Sequence, residues 1–285
     1  MQNKLPIELY RPIVRHIAVS SPSFHPLYNL LFTSRTLQEE AERCLYHRVR
    51  CTSNVGPAPG RPLTDRDKSH YLIFERIAGS PRLASYIHHL DLRGFSQSNG
   101  AYRANDIRLW RSFSNAYKWM ENLKILWLPN TELLRRPISP DFNFTLIPDT
   151  SALPFQLESF GYLSPSYSEL NPHIREPFTD FFQAQVAGLR ELRVEGEEMV
   201  VPLLGVVPNL ESAIVEWNLG RDLVSQGTLT HLTILFRSWW NDDSTSFEGA
   251  ETLRSLWFNR IDMLPLLPLL SKSFPFLRFL HIVVV

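Results

Sequence analysis

One short apolar pattern recurs eight times between residues 87 and 282, and it constrains the fold more than any other feature of the sequence. Each copy has an apolar residue, two further positions, a second apolar residue, one further position and a third apolar residue. The copies are Ile87-Leu90-Leu92, Leu123-Leu126-Leu128, Leu157-Phe160-Tyr162, Leu189-Leu192-Val194, Leu210-Ala213-Val215, Leu229-Leu232-Ile234, Leu253-Leu256-Phe258 and Leu277-Leu280-Ile282. Their first residues are 36, 34, 32, 21, 19, 24 and 24 positions apart, so the spacing shortens along the chain.

Two further features distinguish these copies from the chance matches expected in a chain with 44% apolar residues. A polar residue follows the first apolar position in all eight copies. Helix-like segments precede several copies, namely Ile107–Met120, Phe178–Val186, Met199–Val207 and Met263–Phe274. A strand that alternates with a helix or turn every 20 to 29 residues or so is typical of leucine-rich repeats.

A unit of this size cannot bury its own leucines, whereas copies laid side by side as parallel strands bury them in a continuous column. We therefore predict an α/β fold in which residues 70–285 form an irregular leucine-rich-repeat-like solenoid with a parallel sheet. An ordinary α/β domain with several leucine-rich strands is the alternative.

The residues between the buried leucines are expected to point to the concave face of that sheet. Aromatic residues and arginine, which are enriched at binding hot spots, occur among them. The candidate target-binding residues are His89, Arg93, Trp127, Glu191, Arg193, Glu216, His231, Trp257 and Asn259. The longer segments 96–106, 129–152 and 163–177 are expected to overhang this face.

Residues 1–51 have a different pattern, which predicts three short helices. Leu9, Ile13 and Ile17 form an apolar stripe with helical spacing. Thr36 and Glu39 have the spacing of a capping box for the third helix. Pro12 is expected to kink or restart the first helix, because proline removes one backbone hydrogen bond.

The inward face of the third helix is predicted to contain Leu37, Ala41 and Leu45. Residues 52–69 include GPAPGRP and the charged run TDRDK, which indicate a linker.

The first 51 residues resemble an F-box. The resemblance rests on Leu5-Pro6, Glu8-Leu9, Ile13 and Ile17, on Ser34-Arg35, and on Ala41, Leu45-Tyr46 and Val49. An F-box followed by leucine-rich repeats is a known arrangement of substrate receptors, and the style is most similar to the large fungal F-box families. The resemblance implies a substrate-recognition subunit of a Skp–cullin–F-box ubiquitin ligase.

By resemblance, the F-box would bind the Skp-type adaptor and, through it, the cullin, while the repeats would bind a target protein. The implied adaptor contacts are Leu5, Pro6, Leu9, Ile13, Leu27 and Leu30. A repeat scaffold with no link to a ligase remains an alternative, in which the helices only cap the solenoid. An α/β enzyme with an unrecognised site is a further alternative.

The sequence contains none of the common nucleotide-binding, hydrolase or metalloprotease motifs. We therefore expect no catalytic activity, no cofactor and no metal site. The 29 basic and 29 acidic residues balance, which disfavours a nucleic-acid-binding protein. Two cysteines and the lack of a long apolar stretch suit a cytoplasmic or nuclear protein with no membrane partner.

The last residues, Ile282 to Val285, are β-branched and uncharged. This composition is typical of a strand edge that pairs with other chains, and we expect the isolated protein to self-associate through it.

Overall fold

The computed structural model describes residues 6–21, 23–50, 65–93, 115–130, 153–163, 172–195, 207–235, 250–258 and 271–282. The α-helices are α1 (Ile7–Ser20), α2 (His25–Leu30), α3 (Arg35–His47), α4 (Asp65–Ala78), α5 (Pro81–Ser85), α6 (Pro172–Gln185) and α7 (Trp217–Ser225). Short 3-10 helices span Tyr117–Trp119 and Ala250–Thr252. The strands are β1 (Arg48–Arg50), β2 (His89–Asp91), β3 (Ile125–Asn130), β4 (Ser159–Leu163), β5 (Glu191–Glu195), β6 (Ser212–Val215), β7 (His231–Ile234), β8 (Ser255–Phe258) and β9 (Phe279–Ile282).

The nine strands form one parallel sheet in which spatial order follows chain order, from β1 to β9. Each strand pairs in parallel with the next strand of the sequence. This arrangement confirms the predicted α/β class and the parallel sheet. The eight predicted copies supply strands β2 to β9.

The first strand was missed by the sequence analysis. Val49 of β1 lies in register with Leu90 of β2, so the sheet begins inside the segment 1–51. Helix α3 ends at His47 and β1 begins at Arg48. The helical segment is therefore joined directly to the sheet.

The apolar residues of the repeated pattern form the core on one side of the sheet. All three apolar residues are buried in each of the first seven copies. In the last copy, Leu277 and Ile282 are only partly buried and Leu280 is 41% exposed. The difference arises because β9 has a neighbouring strand on one side only, among the residues that the structure describes.

The polar residue after the first apolar position also has a structural role. The N–H of Lys124 donates to the carbonyl of His88 at 2.9 Å, and the same bond recurs down to Arg278, whose N–H donates to Arg254 at 2.9 Å. These positions therefore stack in a column that precedes the strands and faces solvent. Opposite charges in the column pair, as Lys124 does with Glu158 at 3.1 Å.

Helices α1, α2 and α3 pack on one another around Val14, Leu27 and Ala41. The predicted inward residues Leu37 and Leu45 pack against this core.

The helix signals in this segment were predicted less accurately. Helix α1 continues through Pro12 and does not restart there. Helix α3 is capped by Ser34, whose hydroxyl accepts from the N–H of Leu37 at 3.3 Å. The predicted cap at Thr36 is therefore wrong, because α3 begins at Arg35 and Thr36 lies inside the helix.

The other predicted segments had mixed outcomes. Helix α6 covers Phe178–Gln185 of the predicted helix and also part of the predicted overhang 163–177. Helix α4 begins at Asp65, inside the predicted linker. The segments 96–106, 131–150, 199–206 and 263–270 lie outside the described residues.

A buried carboxylate links α3 to α4 and α5, the two helices that precede β2. Glu42 of α3 is 2% exposed and forms an ion pair with Arg82 of α5 at 2.6 Å. Arg76 of α4 lies 3.9 Å from the same carboxylate. None of the described helices is long and apolar enough to cross a membrane.

Candidate interaction surfaces

The side of the sheet opposite the leucine core is called here the open face. Its side chains form two columns across the nine strands. The first column is Arg48, His89, Ile125, Ser159, Glu191, Ser212, His231, Ser255 and Phe279. The second is Arg50, Asp91, Trp127, Gly161, Arg193, Ile214, Thr233, Trp257 and His281.

Trp127 on β3 lies against the neighbouring strand β4, where two small residues provide the space. A Cβ atom at Gly161 would lie 2.8 Å from Cδ1 of Trp127, so glycine allows the indole to approach. The indole Nε1 donates to Oγ of Ser159 at 3.4 Å. Ser159 is consequently buried although it belongs to the open face.

Arg93 covers the same tryptophan and fixes a buried carboxylate. Its guanidinium carbon lies 3.7 Å from the centre of the Trp127 ring. Its Nε and Nη2 atoms donate to the two oxygens of Asp91, both at 3.0 Å. Arg50 on β1 lies 3.2 Å from the same carboxylate, which is 1% exposed.

These contacts determine the charge state of Asp91. Burial alone would disfavour the charged carboxylate, but the hydrogen bonds from Arg93 and the charge of Arg50 outweigh it and lower the pKa of Asp91. The carboxylate therefore stays ionised beneath two guanidinium groups. Asp91 belongs to this cluster through its ion pairs, although the list of candidate target-binding residues does not include it.

His89 packs edge-on against Trp127, with 5.0 Å between the ring centres. Burial lowers the pKa of His89 to about 4, and the charge of Arg48 acts in the same direction. Its Nε2 atom is buried and makes no hydrogen bond with the described residues. The ring is therefore neutral near pH 7 and extends the aromatic surface of Trp127.

The opposite end of the open face is aromatic and more exposed. Trp257 on β8 is 44% exposed and its ring centre lies 4.2 Å from that of His281 on β9. Phe279 is exposed beside them. These side chains form a second, separate aromatic patch.

The structure brings three of the predicted target-binding residues into direct contact, namely His89, Arg93 and Trp127. Glu191 and Arg193 lie on β5, and His231 is exposed on β7. Glu216 lies outside the two columns, since it precedes helix α7. Asn259 lies outside the described residues.

A second group of exposed apolar side chains lies in the segment of α1 and α2. Ile7 is 67% exposed, Leu9 46% and Ile13 41%. Leu9 and Ile13 are four residues apart and therefore lie on one side of α1. Val14 is instead the buried residue of this helix. Of the predicted stripe of Leu9, Ile13 and Ile17, only Ile17 packs against the helical core.

The predicted adaptor contacts separate into exposed and buried residues. Pro6, Leu9 and Ile13 are exposed, and Leu5 lies outside the described residues. Leu27 is 1% exposed in the core of the helices, and Leu30 is partly buried against that core. Sequence analysis missed three exposed aromatic residues nearby, Phe24, Tyr28 and Phe32.

An open groove of about 520 Å³ lies along the column of polar residues that precedes the strands. Lys124 and Glu158 line it as one ion pair, and Arg190 and Glu211 line it as another at 3.7 Å. The charged side chains of the groove thus pair with each other and do not converge on a common ligand position.

No group of three His, Cys, Asp or Glu side chains in the described ranges lies close enough to hold a metal ion. Comparison of the chain with protein-family models, curated proteins and solved structures gave no match. The functional argument therefore depends on the two surfaces described above.

Proposed function

We propose that this protein is the substrate-recognition subunit of a Skp–cullin–F-box ubiquitin ligase. In this proposal, residues 1–51 form the F-box that binds the adaptor. The strands from β2 onward form a leucine-rich-repeat-like solenoid whose open face holds a target protein. The mechanism is proximity, because tethering the target raises the local concentration of its lysines near the activated ubiquitin.

The observation that supports adaptor binding most strongly is the apolar exposure of the first two helices. Seven of the fourteen large apolar side chains that are exposed in the described residues lie between residues 7 and 32. A concentration of exposed apolar side chains in one segment supports binding to another protein there. Leu9 and Ile13 belong both to this surface and to the F-box resemblance.

The open face supports the role of a target-binding surface. It presents Trp127 with Arg93 at one end and Trp257 at the other, and tryptophan and arginine dominate protein–protein hot spots. No catalytic step is assigned to the chain itself. Its part in the reaction is to hold two proteins at a fixed separation.

Affinity purification of the intact chain from cells tests this proposal. We expect the Skp-type adaptor and the cullin to co-purify. A chain that is folded and captures other proteins, but never the adaptor, would instead be a repeat scaffold without a link to a ligase.

A further inference from the structure

We infer that the open face binds an acidic, extended segment of the target at its β1–β3 end. A carboxylate of the segment would contact the arginine cluster, defined as Arg48, Arg50 and Arg93. An apolar side chain of the same segment would pack beside Trp127. The inference names the partner chemistry for the target-binding surface and so rests on the proposed function.

The charge of this end of the sheet supports an acidic partner. The arginine cluster has three positive charges, and Asp91 is the acidic residue within it, so the local net charge is two positive (3 − 1 = 2). The whole chain, in contrast, has no net charge. Because Asp91 is 1% exposed, a partner meets the guanidinium groups and not the carboxylate that neutralises one of them.

The arginine side chains remain accessible although two of them bind Asp91. The Arg50 side chain is 54% exposed and that of Arg93 is 29% exposed. Arg48 lies on β1, as Arg50 does, and its side chain is exposed in the first column of the open face. Arg93 uses Nε and Nη2 for Asp91, and its Nη1 has no partner among the described residues.

The arrangement of the strands gives the spacing of the bound segment. The arginines of β1 and the apolar residues Ile125 and Trp127 of β3 are two strands apart. Neighbouring strands are about 4.8 Å apart, so the separation is about 10 Å, and an extended peptide covers it in about three residues. The preferred segment therefore has an acidic residue and an apolar residue about three positions apart.

A peptide fits this surface better than a nucleic acid does. Non-specific binding of nucleic acid requires several phosphate contacts along a basic surface. The arginine cluster lies on β1 and just after β2, and farther along the face β5 carries the acidic Glu191 beside Arg193. Trp127 already has Arg93 over its ring, which leaves its edge rather than its face for a partner.

Fluorescence anisotropy with the full chain tests the inference. The probes are labelled 12-residue peptides with Glu and Leu three positions apart, the same peptides with Lys in place of Glu, and a labelled single-stranded oligonucleotide. We expect saturable, salt-sensitive binding of the acidic peptide alone. Arg48→Glu should weaken it about fivefold or more, because it reverses an exposed charge at the site.

Two controls keep the test decisive. Arg50→Gln removes a second charge of the cluster without adding an opposite one, and it should also weaken binding. Arg278→Glu changes an exposed arginine that directly precedes β9, and it should have no effect. Equal binding of the acidic and lysine peptides, tighter binding of the oligonucleotide, or no effect of the β1 substitutions would overturn the inference. Adaptor binding measured on the same variants is independent, so a failure of the proposed function would appear there.

Discussion

At the scale of residues, the open face depends on a layered contact in which Arg93 covers Trp127 and Trp127 covers Gly161. Each layer requires the one beneath it. The indole approaches β4 because glycine has no side chain there, and the guanidinium stacks on the indole while it binds Asp91. A change at the lowest layer should therefore affect all three.

Gly161→Ala tests this dependence. The added methyl group would lie 2.8 Å from Cδ1 of Trp127 and 3.3 Å from Cβ of Arg193, so the indole must move. We expect a loss of about 1–3 kcal/mol in the free energy of unfolding, measured by urea denaturation. In a Trp127→Ala background the same substitution should cost clearly less, and an equal cost in both backgrounds would show that the indole does not occupy this space.

The pKa of His89 predicts a dependence of stability on pH. The folded pKa of about 4 lies below the ordinary value of 6.5, so the unfolded chain binds the proton first as the pH falls. The contribution of His89 is therefore complete above about pH 6.5 and is lost as the pH approaches 4. Partial burial beside His88 also lowers the pKa of His47, which acts in the same direction.

Thermal unfolding between pH 7.5 and about 4.5 measures this effect. We expect the melting temperature to fall with pH in the wild type and to fall less in His89→Gln. His231→Gln is the matched control, because this histidine is exposed on the same face, and it should follow the wild type. A His89→Gln variant with an unchanged pH profile would contradict the burial of this ring.

Sequence analysis identified the residues of this cluster but not its contacts. His89, Arg93 and Trp127 were singled out because alternate residues of a strand share one face. Their contacts depend on which residues of β2, β3 and β4 lie side by side. The segments between these strands vary in length, so spacing in the sequence does not fix that alignment.

At the scale of elements, the repeated pattern predicted β2 to β9 because three apolar residues in fixed positions suit a strand and the turn before it. It did not predict β1, because the same stretch matched the end of the F-box resemblance. The orientation of α1 was also predicted incompletely. Leu9, Ile13 and Ile17 have helical spacing, but packing against α2 and α3 selects Val14 as the buried residue.

Leucines at equivalent positions of two strands should differ in their contribution to stability. Leu192 on β5 is fully buried, whereas Leu280 on β9 is 41% exposed. Leu192→Ala should lower the free energy of unfolding by about 2–5 kcal/mol, because it leaves a cavity in the core. Leu280→Ala is the matched control and should cost about 1 kcal/mol or less, since its site is open to solvent; equal costs in urea denaturation would mean that β9 is covered.

At the scale of the whole molecule, the ion pairs of Glu42 hold α3 against α4 and α5, the helices that precede β2. Arg82→Ala would leave the buried carboxylate with Arg76 at 3.9 Å as its remaining cation among the described residues. We expect this variant to lose about 1–3 kcal/mol in urea denaturation. Glu42→Gln should cost less, because the Arg82 side chain is 52% exposed and water can solvate it.

Arg11→Ala provides the comparison for this pair. Arg11 binds Glu40 at 3.1 Å, but its side chain is 49% exposed, so we expect a change within about 0.5 kcal/mol. If Glu42→Gln lowered the free energy of unfolding more than Arg82→Ala does, this explanation would be wrong. That result would mean that an unpaired, buried Glu42 carboxylate is not the costly group.

The central claim is that the exposed apolar side of α1 binds a Skp-type adaptor. Isothermal titration of the purified adaptor into the full chain tests it most directly. We predict saturable binding by the wild type and its loss in Leu9→Asp with Ile13→Asp, because each substitution would bury an unpaired charge at the interface. Both residues are exposed in the free chain, so the variant should keep the circular dichroism spectrum and melting temperature of the wild type. A folded variant that binds the adaptor as tightly as the wild type, or a wild type that does not bind it, would contradict the assignment.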